Sequence, residues 1–504
     1  MNNLNKIYDK ICKTLKSKAL FNSCLQLLEW DQETNMPENG IKIKSEQNKL
    51  LSEIIHKTTT TKKYASQLNQ LIDIDNGTLK ANNLSEEEKK SIREIRRDYV
   101  HENKLTTSFV KKFSETTTHS LQAWKEAKKI DNFKIFQPHL QKIVDLNRKK
   151  ADLLGYNSHP YDALIDLYEP EVTTLQLNEI FLDLKTNLIP LIKKIKIKQQ
   201  NENDSVLKGV FPIDKQIQLS TQLISNIGLS VKNYNLSQAA HPFCVGISPK
   251  DIRITTHYHE DNAIKSFLST LHECGHGLYE HNLPEQHFGT PLSQAASYGI
   301  HESQSRIWET CIGHSREFWE YYFPKFQDIF KSSLEHVTTE QFYRAVNFVK
   351  SSTIRIFADE VTYNLHIILR YEIEKGLIDG SIQVKNIPDI WRAKMSDYLD
   401  IIPKNNKEGC LQDIHWSLGC IGYFPSYTLG NLFAGSLYEN LIKTHMNYNI
   451  RISKGDFSFI NIFLKEKVHK FGRQYLPIEL IEKATNTTFS SKPYLSYLKS
   501  KYIP

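Results

Sequence analysis

The 504-residue sequence has no apolar run approaching the roughly 18 residues that a membrane-spanning helix needs. Its first thirty residues, "MNNLNKIYDKICKTLKSKALFNSCLQLLEW", also lack the continuous apolar segment of a signal peptide. Cysteine is sparse. Cys12, Cys24, Cys244, Cys274, Cys311, Cys410 and Cys420 are scattered, odd in number and never spaced as CxxC, which points to free thiols in a reducing compartment. There is no basic cluster: the net charge of +7 is diffuse, with Lys and Glu alternating throughout, unlike the basic face of a nucleic-acid-binding protein. Internal repeats and low-complexity segments are also missing. With 40% hydrophobic and 24% charged residues, what remains is an ordinary globular composition, expected in the cytoplasm, with neither a membrane nor a nucleic-acid role.

Few stretches alternate as strands; most carry a helical period. Leu4, Ile7, Ile11, Leu15, Leu20, Cys24 and Leu27 recur at three- to five-residue steps. "LSEEEKKSIREIRRDY" opens with a capping box, Ser85 with Glu88, before Ile92, Ile95 and Tyr99 fall on one face. Segments 104–130, 137–153, 174–200, 214–227, 260–280, 293–313, 338–376 and 431–447 also read as helices. The best strand is 250–258, "KDIRITTHY", with Ile252, Ile254 and Thr256 on one side and Arg253 and Thr255 on the other. Polar stretches at 73–78 and 198–206 read as a turn and a surface loop. The expected fold is mostly α with a small β-element, a single unit over 1–504 with residues 1–110 as an N-terminal helical cap.

Within "STLHECGHGLYEHN" (residues 269–282), His272 and His276 are one turn apart, so a helix presents both imidazoles to one point. Glu273 lies about 100° round the axis. Two nitrogen ligands beside a carboxylate that can take a proton from an activated water suit Zn²⁺. Ile264, Phe267, Leu268, Leu271 and Leu278 make the opposite stripe apolar, so the helix is expected to be buried with its polar face on a cleft. Gly275 costs about 1 kcal/mol of helix propensity, which makes sense if another backbone packs closely there. Cys274, about 200° from His272, reads as a small buried apolar group. Chance alone writes a His-Glu-x-x-His into a chain of this length on the order of a few per cent of the time.

A catalytic zinc needs a third protein ligand. The HExxHxxGxxH pattern is excluded, because Tyr279 and Asn282 stand where Gly and His would be required. Glu302, twenty-six residues beyond His276, has enough intervening chain to face the motif from a second helix. Glu280, His281 and His287 compete with it. Glu280 would require three groups from one straight helix to converge.

The sequence resembles the carboxypeptidase Taq-type metallocarboxypeptidases, an HExxH peptidase group, along most of its length. The resemblance rests on "WDQETNMP" (30–37), "REIRRDY" (93–99), "HPYDALIDLYEP" (159–170), "HPF" (241–243) and "DIRITT" (251–256). It continues in "HECGH" (272–276), "HESQSR" (301–306), "IRIFADE" (354–360) and the long "LQDIHWSLGCIGYFPSYTLGN" (411–431). It implies a homodimer of mostly helical subunits with a deep central groove. It also implies release of single residues from free peptide C-termini with broad specificity, and it agrees on Glu302.

On this reading His272, His276 and Glu302 hold one divalent metal per subunit, Zn²⁺ first, though Co²⁺ or Mn²⁺ suits the same ligands. Glu273 is the general base, then the proton donor to the leaving amine. His415 and Tyr423 are candidate donors to the developing oxyanion. The resemblance singles out Arg355 for the substrate's terminal carboxylate, for which an arginine fork is suited; a salt bridge to Asp359 in the same helix is the alternative. Arg253 is a second candidate, unless it braces Asp251. His241 and His301 are either supporting partners of a ligand or structural. Two rivals keep the same motif: an internal-cutting oligopeptidase and an inactive scaffold.

Overall fold

The computed structural model describes residues 3–503, and helices dominate it. The chain forms two compact units. The first comprises Met1–Asn103, Asp204–Val346 and Leu437–Thr488; the second comprises Lys104–Asn203, Asn347–Ser436 and Phe489–Pro504. The boundary at Asn203 falls inside the polar stretch read as a surface loop.

In the first unit, helices Asn3–Thr34, Lys62–Leu71 and Glu86–Lys104 bury Ile7, Ile11, Leu68, Leu71, Ile92 and Ile95 in one cluster. Each such side chain contributes roughly 1.5–3 kcal/mol by leaving water. The capping box is formed: Glu88 accepts from the Ser85 backbone N–H at 2.8 Å, and the Ser85 hydroxyl accepts from the Glu88 N–H at 3.3 Å. The same unit holds β1 (Tyr234–Gln238), β2 (Cys244–Ser248) and β3 (Asp251–Thr256). β3 is central, parallel to β1 and antiparallel to β2. It is the strand read from the alternating pattern, with Ile252 and Ile254 fully buried. These two meet the motif helix, Ala263–Asn282, at Gly277, where an added Cβ would lie 3.1 Å from Ile252.

The second unit packs helices Thr107–Ile130, Phe133–Leu154, Thr174–Lys198, Tyr363–Asp379 and Ile387–Leu399. Among the described residues, no helix is long and apolar enough to cross a membrane.

Two expected helices are broken. The helical reading of 338–376 becomes Thr339–Val346 and Tyr363–Asp379, joined by a loop with one 3₁₀ turn at Arg355–Phe357. Asp359 sets the break, because its carboxylate accepts from the backbone N–H groups of Val361, Thr362 and Lys350 at 2.9–3.1 Å. Those bonds start a new helix rather than continuing the old one. Segment 293–313 becomes a 3₁₀ turn, a helix Tyr298–Arg306 capped by Ser297, and a π-helical stretch Ile307–Ile312.

Candidate functional site

The motif helix packs backbone to backbone against Tyr298–Arg306. A Cβ on Gly275 would lie 2.5 Å from the Gln304 carbonyl oxygen and 2.6 Å from Ser305 Cα, so only glycine fits. This contact accounts for a helix-weakening residue inside the motif, and it brings Glu302 to the two histidines. His272 Nε2 is 3.8 Å and His276 Nε2 3.5 Å from Glu302 Oε2. One ligand atom from each of the three lies within 4.8 Å of the others. A tetrahedral ion with bonds of 2.0–2.1 Å has ligand atoms about 3.3 Å apart, so the three groups could hold a small divalent cation once the side chains draw in.

The surrounding residues hold these groups in place. His272 Nδ1 hydrogen-bonds Glu309 Oε2 at 2.7 Å, which turns Nε2 toward Glu302. Arg306 donates from Nε to Glu302 Oε1 at 2.7 Å and from Nη1 to Glu309 Oε2 at 3.2 Å, clamping both carboxylates. Glu309 sits in the π-helical stretch, a distortion that recurs at functional sites. The sequence reading did not assign Arg306 and Glu309. Their signal was present, because residues four and seven beyond Glu302 share its helical face. His276 stacks on His301 at 4.5 Å, and His301 Nε2 pairs with Glu280 Oε1 at 2.9 Å. Among the described residues His276 Nδ1 is buried with no hydrogen-bond partner.

Glu273 is buried, and desolvation lifts its carboxyl to about 7. Burial would also raise Glu302, but Arg306 and His272 hold it well below the usual range. Glu309 falls to about 2 because Arg306 and His272 overcome its burial. Burial depresses the His272 imidazole, yet Glu309 and Glu302 outweigh it and raise the group to about 9. His276 drops to about 3 through burial and the neighbouring His301.

The other competitors for the third ligand point elsewhere. His281 Nδ1 bonds the Pro249 carbonyl at 2.6 Å, and His287 lies in a separate 3₁₀ turn. Cys274 is fully buried. Arg253 pairs with Asp251 through Nε (2.5 Å) and Nη2 (2.9 Å) and lies over the Trp30 ring at 4.8 Å. His241 is exposed on the β1–β2 connection.

In the second unit, Arg355, His415 and Tyr423 come together. Arg355 does not pair with Asp359, because the 3₁₀ turn removes the assumed helical spacing. It donates from Nε and Nη2 to Asp413 Oδ1 at 3.0 and 2.8 Å, and from Nη1 to the Tyr363 hydroxyl at 2.9 Å. Arg370 takes the other oxygen of Asp413 at 2.7 Å. Asp413 is therefore held far below an ordinary carboxyl despite its burial, while both guanidinium groups remain cationic. His415 Nε2 lies 3.2 Å from the Tyr427 hydroxyl, with its ring 5.5 Å from that of Tyr423. Burial lowers His415 to about 4, so it is neutral at pH 7.

Paired histidines one turn apart, a carboxylate from the next helix and a buried glutamate beside the first histidine define an HExxH-type hydrolytic metal centre. The comparisons narrow this class. Residues 10–502 match the carboxypeptidase Taq (M32) metallopeptidase family, and the chain belongs to it. It is 36% identical over 488 residues to carboxypeptidase 1 of Bacillus subtilis, covering 97% of this chain and 96% of that protein. It is 34% identical to thermostable carboxypeptidase 1 of Thermus thermophilus, with 98% of each chain covered. The solved structure of Trypanosoma cruzi metallocarboxypeptidase 1 superimposes with a TM-score of 0.94 at 34% identity, covering 99% of this chain and 100% of that one. The protein is thus a metallocarboxypeptidase, a peptide hydrolase, and its family implies a divalent metal.

Proposed function

We propose that the chain releases single amino acids from free peptide C-termini with broad specificity, using one Zn²⁺ per subunit held by His272, His276 and Glu302. The observation that carries the C-terminal reading is a charge imbalance: Arg355 and Arg370 share one carboxylate, Asp413, in a buried setting. A buried cation in excess favours an anion, and a peptide's terminal carboxylate fits an arginine fork.

When bound, the metal lowers the pKa of its water and polarises the scissile carbonyl. Glu273 takes the water proton and passes it to the leaving amine; a carboxyl poised near 7 suits both directions of transfer. His415, as a neutral imidazole, and Tyr423 donate to the carbonyl oxygen as charge develops on it. Arg355 orients the terminal carboxylate. Arg253, whose fork is taken by Asp251, braces the β3 strand rather than the substrate. His301 supports His276 by stacking.

Co²⁺ or Mn²⁺ in the same ligands sustains the reaction. The enzyme works as a homodimer in the cytoplasm, where its seven free cysteines remain reduced. The N-terminal helices, with a hydrophobic cluster of their own, serve as a cap within one catalytic unit.

Two matched peptides test this reading, one blocked at its N-terminus and one amidated at its C-terminus, each with and without a chelator. Mass spectrometry is expected to show a chelator-sensitive ladder, one residue shorter at each step, from the free acid alone. Internal cuts indifferent to the amide would establish an oligopeptidase instead. No cleavage after Zn²⁺ or Co²⁺ addition would indicate an inactive scaffold.

A further inference from the structure

Glu374 is a fully buried carboxylate that has no part in the chemistry described above. Its Oε1 accepts from the Trp416 indole N–H at 2.7 Å. Its Oε2 accepts from the Tyr161 hydroxyl at 2.5 Å and from the backbone N–H of Gly422 at 2.9 Å. Two of these donors are sequence neighbours of the residues assigned to the oxyanion: Trp416 follows His415, and Gly422 precedes Tyr423. One carboxylate therefore grips the 415–423 turn at both ends.

Within the turn, short-range backbone bonds, Gly419 N–H to the Trp416 carbonyl at 3.1 Å and Cys420 N–H to the His415 carbonyl at 3.0 Å, fix the local shape. Gly422 has φ +97°, and a Cβ there would lie 2.7 Å from the Leu164 carbonyl, so this end is pressed against the segment after Tyr161. Gly419, mid-turn, also has a positive φ of +72°. At both glycines the backbone takes a conformation that a side chain would disfavour, so contacts from outside the turn set where its ends lie. An apolar side chain at 374 would fill the space but leave the Trp416 and Gly422 N–H groups buried without acceptors.

We propose that Glu374 is a positioning residue that sets the spacing of His415 and Tyr423 for catalysis. The inference rests on the reading that those two residues contact substrate. A displacement on the 1 Å scale at such donors costs about 10²-fold in rate.

The test is a substitution cycle on the metal-loaded enzyme. Glu374→Gln replaces one acceptor by an NH₂ group that faces a donor. The expected result is an approximately tenfold to 10²-fold fall in kcat, with KM and metal content unchanged. In a His415→Ala/Tyr423→Phe background the same substitution is expected to cost less than about twofold, because the groups it positions are gone. Full activity of Glu374→Gln, or losses that multiply across the two backgrounds, would overturn the proposal and leave the oxyanion reading standing. If His415→Ala/Tyr423→Phe is itself silent, the oxyanion reading fails and takes the proposal with it. Should Glu374→Gln not fold, Tyr161→Phe removes a single donor to Oε2 and goes through the same cycle, with a smaller but still non-multiplying loss expected.

Discussion

The two units contain buried polar clusters with opposite charge imbalances. Around His272 and His276, the carboxylates of Glu302 and Glu309 converge on Arg306 and on the His272 imidazole, with a third carboxyl, Glu273, close by. Around Asp413 the ratio is reversed, two arginines to one carboxylate. A buried ion is tolerated when it is paired, so carboxyl groups predominate in one cluster and guanidinium groups in the other only because each finds partners there. On the proposed reading, the acidic cluster would take a dication and the basic one a terminal carboxylate.

The largest expected break is Glu273→Gln. It keeps the three ligand groups, so metal by elemental analysis stays at one per chain while kcat falls by about 10²–10⁴-fold. Near-normal turnover with metal bound would remove Glu273 from the reaction. On the basic side, Arg355→Ala is expected to lower kcat/KM for acid-ended peptides by about 10²-fold, the scale of a truncated charge pair, chiefly through KM. A loss confined to kcat and matched by a fall in melting temperature would make Arg355 purely a partner of Asp413.

Gly275→Ala separates geometry from charge, since it alters no ionisable group. Its Cβ would meet the Gln304 carbonyl at 2.5 Å, so the Glu302 helix must move. A fall in Zn²⁺ affinity and a melting temperature lower by several degrees are expected, consistent with an overpacking cost of about 1–3 kcal/mol. Unchanged affinity in a chelator competition would show that Glu302 reaches the histidines by side-chain freedom instead.

The smallest effect concerns pH. His469 is buried between Asn282 Nδ2 at 3.1 Å and Gln304 Oε1 at 2.9 Å, and burial lowers it to about 3. The unfolded chain binds its proton near 6.5, so this contribution to stability is complete above that pH and is lost as pH falls toward 3. Melting temperatures between pH 7 and pH 4 are expected to fall less steeply in His469→Gln than in the unsubstituted protein.

The metal side was the more legible in sequence. Spacing alone placed His272, Glu273 and His276, and it anticipated a close backbone at Gly275 and a buried Cys274. Arg306 and Glu309 stand at helical spacing from Glu302, but charged residues four and seven positions on are equally common on a solvated helix face, so the spacing does not mark them as partners of a ligand. The basic side was less legible. Apolar residues keep a helical rhythm through 338–376, and that rhythm hid the loop begun by Asp359. Once the loop is seen, Arg355 is freed from a same-helix partner and meets Asp413, fifty-eight positions away. No local pattern encodes a pairing across that distance.

The bare contact at Gly275 acts as a spacer of zero thickness. Where two helices touch through side chains, rotamer changes let the gap widen or narrow. Here main chain rests on main chain, so the two helices cannot come nearer and nothing between them can be repacked. Only the side chains of His272, His276 and Glu302 remain to adjust. A residue with no side chain thereby sets the ground distance from which those three groups reach for one another.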